Sequence, residues 1–135
     1  MMLLDTNVII AACNKRPERI AARVDLQLAG GAGLLTSSIV EFELRYGIAK
    51  SKRQHANELI LKQFLSMIDV LPFDREDAAL AGDIRAWLEA AGAPIGQYDV
   101  LIAAQALRHG ATLVTANTRE FARVPGLKVE DWAAG

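Results

Sequence analysis

Met2-Leu3-Leu4-Asp5-Thr6-Asn7 is the stretch from which the fold can be read. Three apolar residues run straight into a carboxylate, and two residues with capping oxygens follow it. The pattern predicts a very short buried strand that ends in an acid and opens a helix. Four further short apolar runs share this character: Gly33 to Thr36, Ile68 to Leu71, Thr112 to Thr115 and a weaker Leu127 to Val129. The segments between them have helical length and period. Strands that are nearly all apolar, alternating with helices, predict an α/β fold with a short, mostly parallel central sheet.

Helix boundaries are punctuated. Pro17-Glu18 opens a helix that runs to about Ala29 and stops at Gly30-Gly31. Ser38 followed by Glu41 has capping-box spacing, and Asp74 followed by Asp77 is an acidic analogue of it. The second opens a long helix ending at Gly92, with Pro94 beyond. Another helix runs from about Gln97 to His109 and closes at Gly110, with Val100, Leu101, Ala104 and Leu107 on a packed face.

The chain has 135 residues, 52% hydrophobic and 23% charged, with a formal net charge of -1. These values predict one domain over residues 1–135 and exclude a disordered or uniformly basic chain. One cysteine, Cys13, excludes a disulfide scaffold and reads as a small core residue. The N-terminus lacks a basic leader and no apolar run is long enough to span a bilayer, so a soluble cytoplasmic protein is expected. Charge is uneven: residues 1 to 68 carry 9 basic and 6 acidic side chains, residues 69 to 135 carry 6 and 10. Arg45, Lys50, Lys52 and Arg53 cluster where one helix ends and the next begins. They are either a solvated helix end or a patch that meets a phosphate backbone.

The acids stand where ligands gather in open α/β sheets, beyond the strand C-termini. Asp5 ends the first strand, although a turn and cap would also explain Asp5-Thr6-Asn7. Asp99 lies in the first turn of an otherwise apolar helix, where the helix dipole alone favours it. Thr115-Ala116-Asn117-Thr118-Arg119-Glu120 follows another strand, with Asn117 or Thr118 able to cap. On the helix from Ser38 to about Lys50, the apolar stripe is read as Ile39, Phe42, Tyr46 and Ala49. Glu43 borders that stripe, whereas Glu41 points away and can pair with Arg45. A Glu43 that merely snorkels outward is the alternative.

Carboxylates gathered with Thr and Asn oxygens are costly unless protons or a cation join them. His55, His109 and Cys13 have no zinc-site spacing, so an all-oxygen set points to Mg²⁺, with Mn²⁺ as a substitute, and to phosphodiester hydrolysis. No dinucleotide, P-loop or nucleophile-elbow motif is present. A metal-dependent phosphatase acting on a small substrate and a non-catalytic partner-binding domain are the rival readings. The phosphatase is weakened by the absence of an Asp-x-Asp pair.

Four stretches in order carry a resemblance: Met2 to Asn7, Ser37 to Gly47, Tyr98 to Ala106 and Leu113 to Phe121. The chain resembles PIN-domain ribonucleases, specifically the VapC toxins of bacterial toxin–antitoxin pairs. The resemblance implies a PIN-like α/β/α sandwich and a Mg²⁺-dependent endoribonuclease that cuts structured RNA. It implies metal ligands at Asp5, Glu43 and Asp99, with Thr6, Asn7 and Thr115 as supporting or capping groups. Many PIN domains carry an Asp where this chain has Asn117, so either Glu120 restores the charge or Asn117 acts as a neutral oxygen. The run from Asn117 to Leu127, with Glu130-Asp131-Trp132, looks like the branch that cleaves initiator tRNA. A VapB-type antitoxin, homodimerisation and a toxin–antitoxin hetero-oligomer are further implications.

Overall fold

The computed structural model describes residues 1–133. Five parallel strands form one sheet: β1 (Met2–Leu4), β2 (Leu34–Ser37), β3 (Asp69–Leu71), β4 (Thr112–Val114) and β5 (Val129–Glu130), in the order β3-β2-β1-β4-β5. Seven helices connect them: α1 (Thr6–Asn14), α2 (Glu18–Ala29), α3 (Ser38–Ala49), α4 (Gln54–Leu65), α5 (Arg75–Ala90), α6 (Gln97–Arg108) and α7 (Thr118–Phe121). The chain winds outward from β1 to β2 and β3, then crosses back to β4. That reversal opens a crevice at the C-terminal ends of β1 and β4, where α/β folds bind their ligands. Leu4 lies in register with Val114, and the Asp5 N–H donates to the Val114 carbonyl over 3.0 Å. The first residues after the two strands therefore lie side by side.

The core lies on both faces of the sheet's central strands and against α6, where Val100 and Ala104 of the expected packed face are buried and Leu101 and Leu107 partly so. Leu3, Leu4, Ile9, Val24, Ile102, Leu113 and Phe121 are fully buried. Helix α6 is buried almost all round from Ile102 to Ala106, a broader surface than the expected stripe, because it packs against α5, α3 and β4. Its Gln105 side chain donates to the Leu71 and Pro72 carbonyls, each over 3.1 Å, tying the end of β3 to the helix.

Three expectations need correction. Strand ends shift by one or two residues, and the edge strands β3 and β5 are only partly buried. Helix α3 is capped by Ser37, whose hydroxyl accepts from the Ile39 N–H, and not by Ser38. Ser38 instead accepts from the Phe73 N–H at 2.9 Å, so the spacing to Glu41 makes no capping box. The buried face of α3 is Val40 and Leu44, whereas Phe42 and Tyr46 are exposed by 51% and 60%. Of the expected stripe, Phe42, Tyr46 and Ala49 face outward and only Ile39 packs partly against the core.

Candidate active site

Asp5 stands at the end of β1 and caps α1, and is 6% exposed. Its Oδ1 accepts from the Thr6 N–H at 2.8 Å and its Oδ2 from the Thr115 hydroxyl at 2.8 Å. The cap occupies one oxygen, so Asp5 serves as a helix cap and still borders the crevice. Burial pushes its pKa up, hydrogen bonds from Thr115 and Thr6 pull it down, and the Glu120 charge pushes it up again.

Glu43 reaches the same place from α3. Its Oε1 accepts from the Thr6 hydroxyl at 2.8 Å, so Thr6 holds Asp5 through its backbone and Glu43 through its side chain. Glu41 turns away, as expected, and pairs with Arg45 at 2.6 Å. Asn7 is exposed on α1 and is not its cap, because Asp5 takes that position.

Asp99 lies in the first turn of α6, whose N-cap is Gly96. Burial, followed by the charges of Glu120, Asp5 and Glu43, pushes its pKa up to about 7. Glu120 from α7, Asp5 from the end of β1 and Glu43 from α3 therefore stand near enough to Asp99 for their charges to act on it. No Lys or Arg forms an ion pair with Asp5, Glu43 or Asp99 among the described residues.

The fourth position was left open between two residues. Glu120 stands beside Asp99 and shares a hydrogen-bonding contact with it. Its Oε1 accepts from the Gly96 N–H at 2.7 Å, and this bond is the main reason its carboxyl lies below its ordinary range. Asn117 is placed behind it: its amide donates to Glu120 and its backbone N–H donates to Thr115 Oγ1 at 3.0 Å. Of the two residues, Glu120 thus stands beside Asp99, with Asn117 and Thr115 linked behind it.

Of the basic cluster, Arg45 is engaged by Glu41 and Glu58, and Lys50 lies 4.6 Å over the Tyr46 ring. Lys52 and Arg53 are exposed between α3 and α4. Beside Glu43 opens a cleft of about 260 Å³ between α1, α3 and α4, with walls that include Ile10, Cys13, Leu44, Ile60 and Leu61. Cys13 is thus a half-buried wall residue, not a core one, and burial pushes its thiol up. Sequence reading missed Gly96, whose only signal was a glycine at an N-cap followed by an acid three residues later.

Among the described residues, no three His, Cys, Asp or Glu side chains stand close enough together to hold an ion as they are placed. The donors nonetheless suit a hard divalent cation: all are oxygens, the acids act on one another, and no cationic side chain pairs with the three central ones. Asp5, Glu43 and Asp99, with Glu120 alongside, fit Mg²⁺ or Mn²⁺ by chemistry and charge.

Known proteins agree with this architecture. The PIN domain matches residues 2–127 of the chain. The ribonuclease VapC2 of Rickettsia felis is 41% identical over 130 residues, covering 96% of both chains. The tRNA(fMet)-specific endonuclease VapC of Salmonella typhimurium is 40% identical, with the same coverage. The crystal structure of VapBC2 from Rickettsia felis, bound to a DNA fragment from its promoter, contains a chain that superposes with a TM-score of 0.89 at 38% identity. The match covers 97% of this chain and 98% of that one.

Proposed function

The chain belongs to the PIN-domain family, and on that premise we propose that it is a metal-dependent endoribonuclease toxin of the VapC type, with residues 1–135 as one nuclease domain. The observation that carries this reading is the convergence of four acids on the crevice where β1 and β4 end, with no cationic side chain paired to Asp5, Glu43 or Asp99 among the described residues. Asp5, Glu43 and Asp99 would hold Mg²⁺, or Mn²⁺ in its place. Bound there, the cation supplies charge neutralisation at a phosphodiester and a lowered pKa for the attacking water. Thr6 fixes the directions of Asp5 and Glu43, and Thr115 fixes Asp5 from the other side. Glu120 and Asn117 complete the wall, and one of the carboxylates accepts a proton from the water.

The substrate is structured RNA, and the likeness to the Salmonella endonuclease favours tRNA, initiator tRNA included. An acidic crevice repels phosphates, so binding needs cations nearby; Lys50, Lys52 and Arg53, with a contribution from Arg45, are assigned that task. A VapB-type antitoxin is the natural partner, since related chains are found in VapBC complexes. The apolar cleft beside Glu43 offers such a partner a surface from which the site is blocked. The outward rings of Phe42, Tyr46 and Tyr98 fit a homodimer contact within the larger toxin–antitoxin assembly. No helix among the described residues is long and apolar enough to cross a membrane, and a cytoplasmic location suits an RNA target.

The test is cleavage of a folded tRNA by the purified chain. Activity with Mg²⁺ that is lost in EDTA, and that falls about a hundredfold or more in Asp99→Asn, is expected. Full activity in EDTA, or a folded Asp99→Asn protein that cuts like the parent, would overturn the reading.

A further inference from the structure

Among the described residues three helices begin with an acid at the third helical position, Asp77 on α5, Asp99 on α6 and Glu120 on α7, and only Asp77 caps its own helix. At the start of α5, Asp74 accepts from the Asp77 N–H and Asp77 accepts from the Asp74 N–H, each at 2.9 Å. This is a complete capping box. At the start of α6 the corresponding residues are Gly96 and Asp99. By the same geometry Asp99 would reach back to the Gly96 N–H. That N–H donates instead to Glu120, from α7, at 2.7 Å.

The glycine adds a second observation. Gly96 has φ −56 and ψ 147, an ordinary extended conformation open to any residue. Backbone freedom therefore does not explain it; glycine is an accepted N-cap residue, but here it offers no side chain to cap with. A Cβ built on Gly96 would lie 2.9 Å from Asp99 Oδ2, 3.4 Å from its Cγ and 3.7 Å from Glu120 Oε1. The space a side chain would occupy is taken by the Asp99 carboxylate.

We infer that Gly96 and Glu120 are positioning residues: Glu120 satisfies the N-cap N–H in place of Asp99, and the missing side chain leaves room for the Asp99 carboxylate to face the crevice. Asp99 is thereby released from helix capping. The inference rests on reading Asp99 as a cation ligand, but the exchange of capping partner can be tested with no cation present.

The experiment uses the full chain with Glu120→Ala, Glu120→Gln and Gly96→Ala. Thermal melts confirm that each variant is folded. The Gly96 amide resonance is followed in metal-free protein, and Mn²⁺ affinity is measured by electron paramagnetic resonance. In Glu120→Ala the Asp99 carboxylate is expected to fall back onto the Gly96 N–H. Adding Asp99→Ala, which removes the acceptor, to that variant then shifts the Gly96 amide strongly, whereas in the parent background it shifts it little. Mn²⁺ affinity should fall about tenfold in Glu120→Ala and stay within about threefold of the parent in Glu120→Gln, whose amide oxygen still accepts from Gly96. Gly96→Ala should lose about tenfold in affinity with its melting temperature within about 2 °C of the parent. Equal losses in Glu120→Gln and Glu120→Ala would make Glu120 a ligand through its charge and overturn the inference. So would a Gly96 amide in Glu120→Ala that ignores Asp99→Ala, or Gly96→Ala protein that binds Mn²⁺ like the parent. A parent chain with no Mn²⁺ affinity would overturn the nuclease reading instead, and the amide measurement would still decide the capping exchange.

Discussion

Asp77 on α5 and Asp99 on α6 occupy the same helical position, yet their surroundings differ in charge. Asp77 is fully buried, accepts from the Asp74 N–H, and meets the Arg108 guanidinium at 2.6 Å. Arg108 also holds Asp74 and Glu76, each at 2.9 Å, so one cation serves three acids. Hydrogen bonds within the cap, then the nearby Arg108 charge, keep Asp74 below its ordinary range. Asp99 has three acids for neighbours and no cationic partner among the described residues, and its pKa rises to about 7. The two clusters show the same residue type fixing a fold where its charge is answered and holding its proton more tightly where it is not.

The largest effect is expected on the answered side. Arg108→Ala leaves the buried Asp77 carboxylate with the Asp74 N–H and no cation, and should lower the melting temperature by roughly 10 °C. Mn²⁺ affinity should be unchanged in the folded protein. A melting temperature within about 2 °C of the parent's would show that the Arg108 cluster is not what holds α5 against α6.

The pH dependence of stability sharpens the contrast. Asp99 binds its proton more tightly folded than unfolded, so its stabilising contribution is complete below pH 3.8 and is lost as pH rises towards about 7. Asp5, also raised, acts in the same direction. Asp74 and Glu120 are lowered, so their contributions are lost only as pH falls through the acid range. Metal-free protein should therefore melt at a lower temperature at pH 8 than at pH 5, and Asp99→Asn should flatten that decline and be the more stable of the two at pH 8. Parallel melting curves for parent and variant across this interval would contradict the assignment.

Much of this was legible in sequence because it is local. Asp5 follows directly on an apolar strand, and Asp99 sits in the first turn of an otherwise apolar helix. The Asp74 and Asp77 capping box also needs only three residues of spacing. Other features depend on what lies across the fold. Glu43 was selected through a stripe of Ile39, Phe42, Tyr46 and Ala49, yet the buried pair is Val40 and Leu44. Periodicity identifies an apolar face without saying which apolar face meets the core, and Phe42 packs at 5.5 Å against Tyr98 on the outside. Arg108 meets Asp77 from 31 residues away, and Glu120 meets Gly96 from 24. Neither pairing leaves a periodic trace.

Smaller effects belong to the supports. Thr6→Val keeps the N–H on Asp5 but frees Glu43, and should lower Mn²⁺ affinity about tenfold with little change in melting temperature. Affinity equal to the parent's would show that Glu43 needs no such support. Replacing Lys50, Lys52 and Arg53 together with Ala should weaken tRNA binding and flatten its salt dependence by about two in the logarithmic slope. An unchanged slope would return these residues to a solvated helix end.

The most direct measurement is Mn²⁺ binding by calorimetry at pH 8 to the parent, Asp99→Asn and Asp74→Asn. The parent should bind, Asp74→Asn should bind within about twofold of it, and Asp99→Asn should lose at least about tenfold while melting no lower than the parent. Asp99→Asn protein that is folded and binds Mn²⁺ with the parent's affinity would contradict the assignment of this pocket as the cation site.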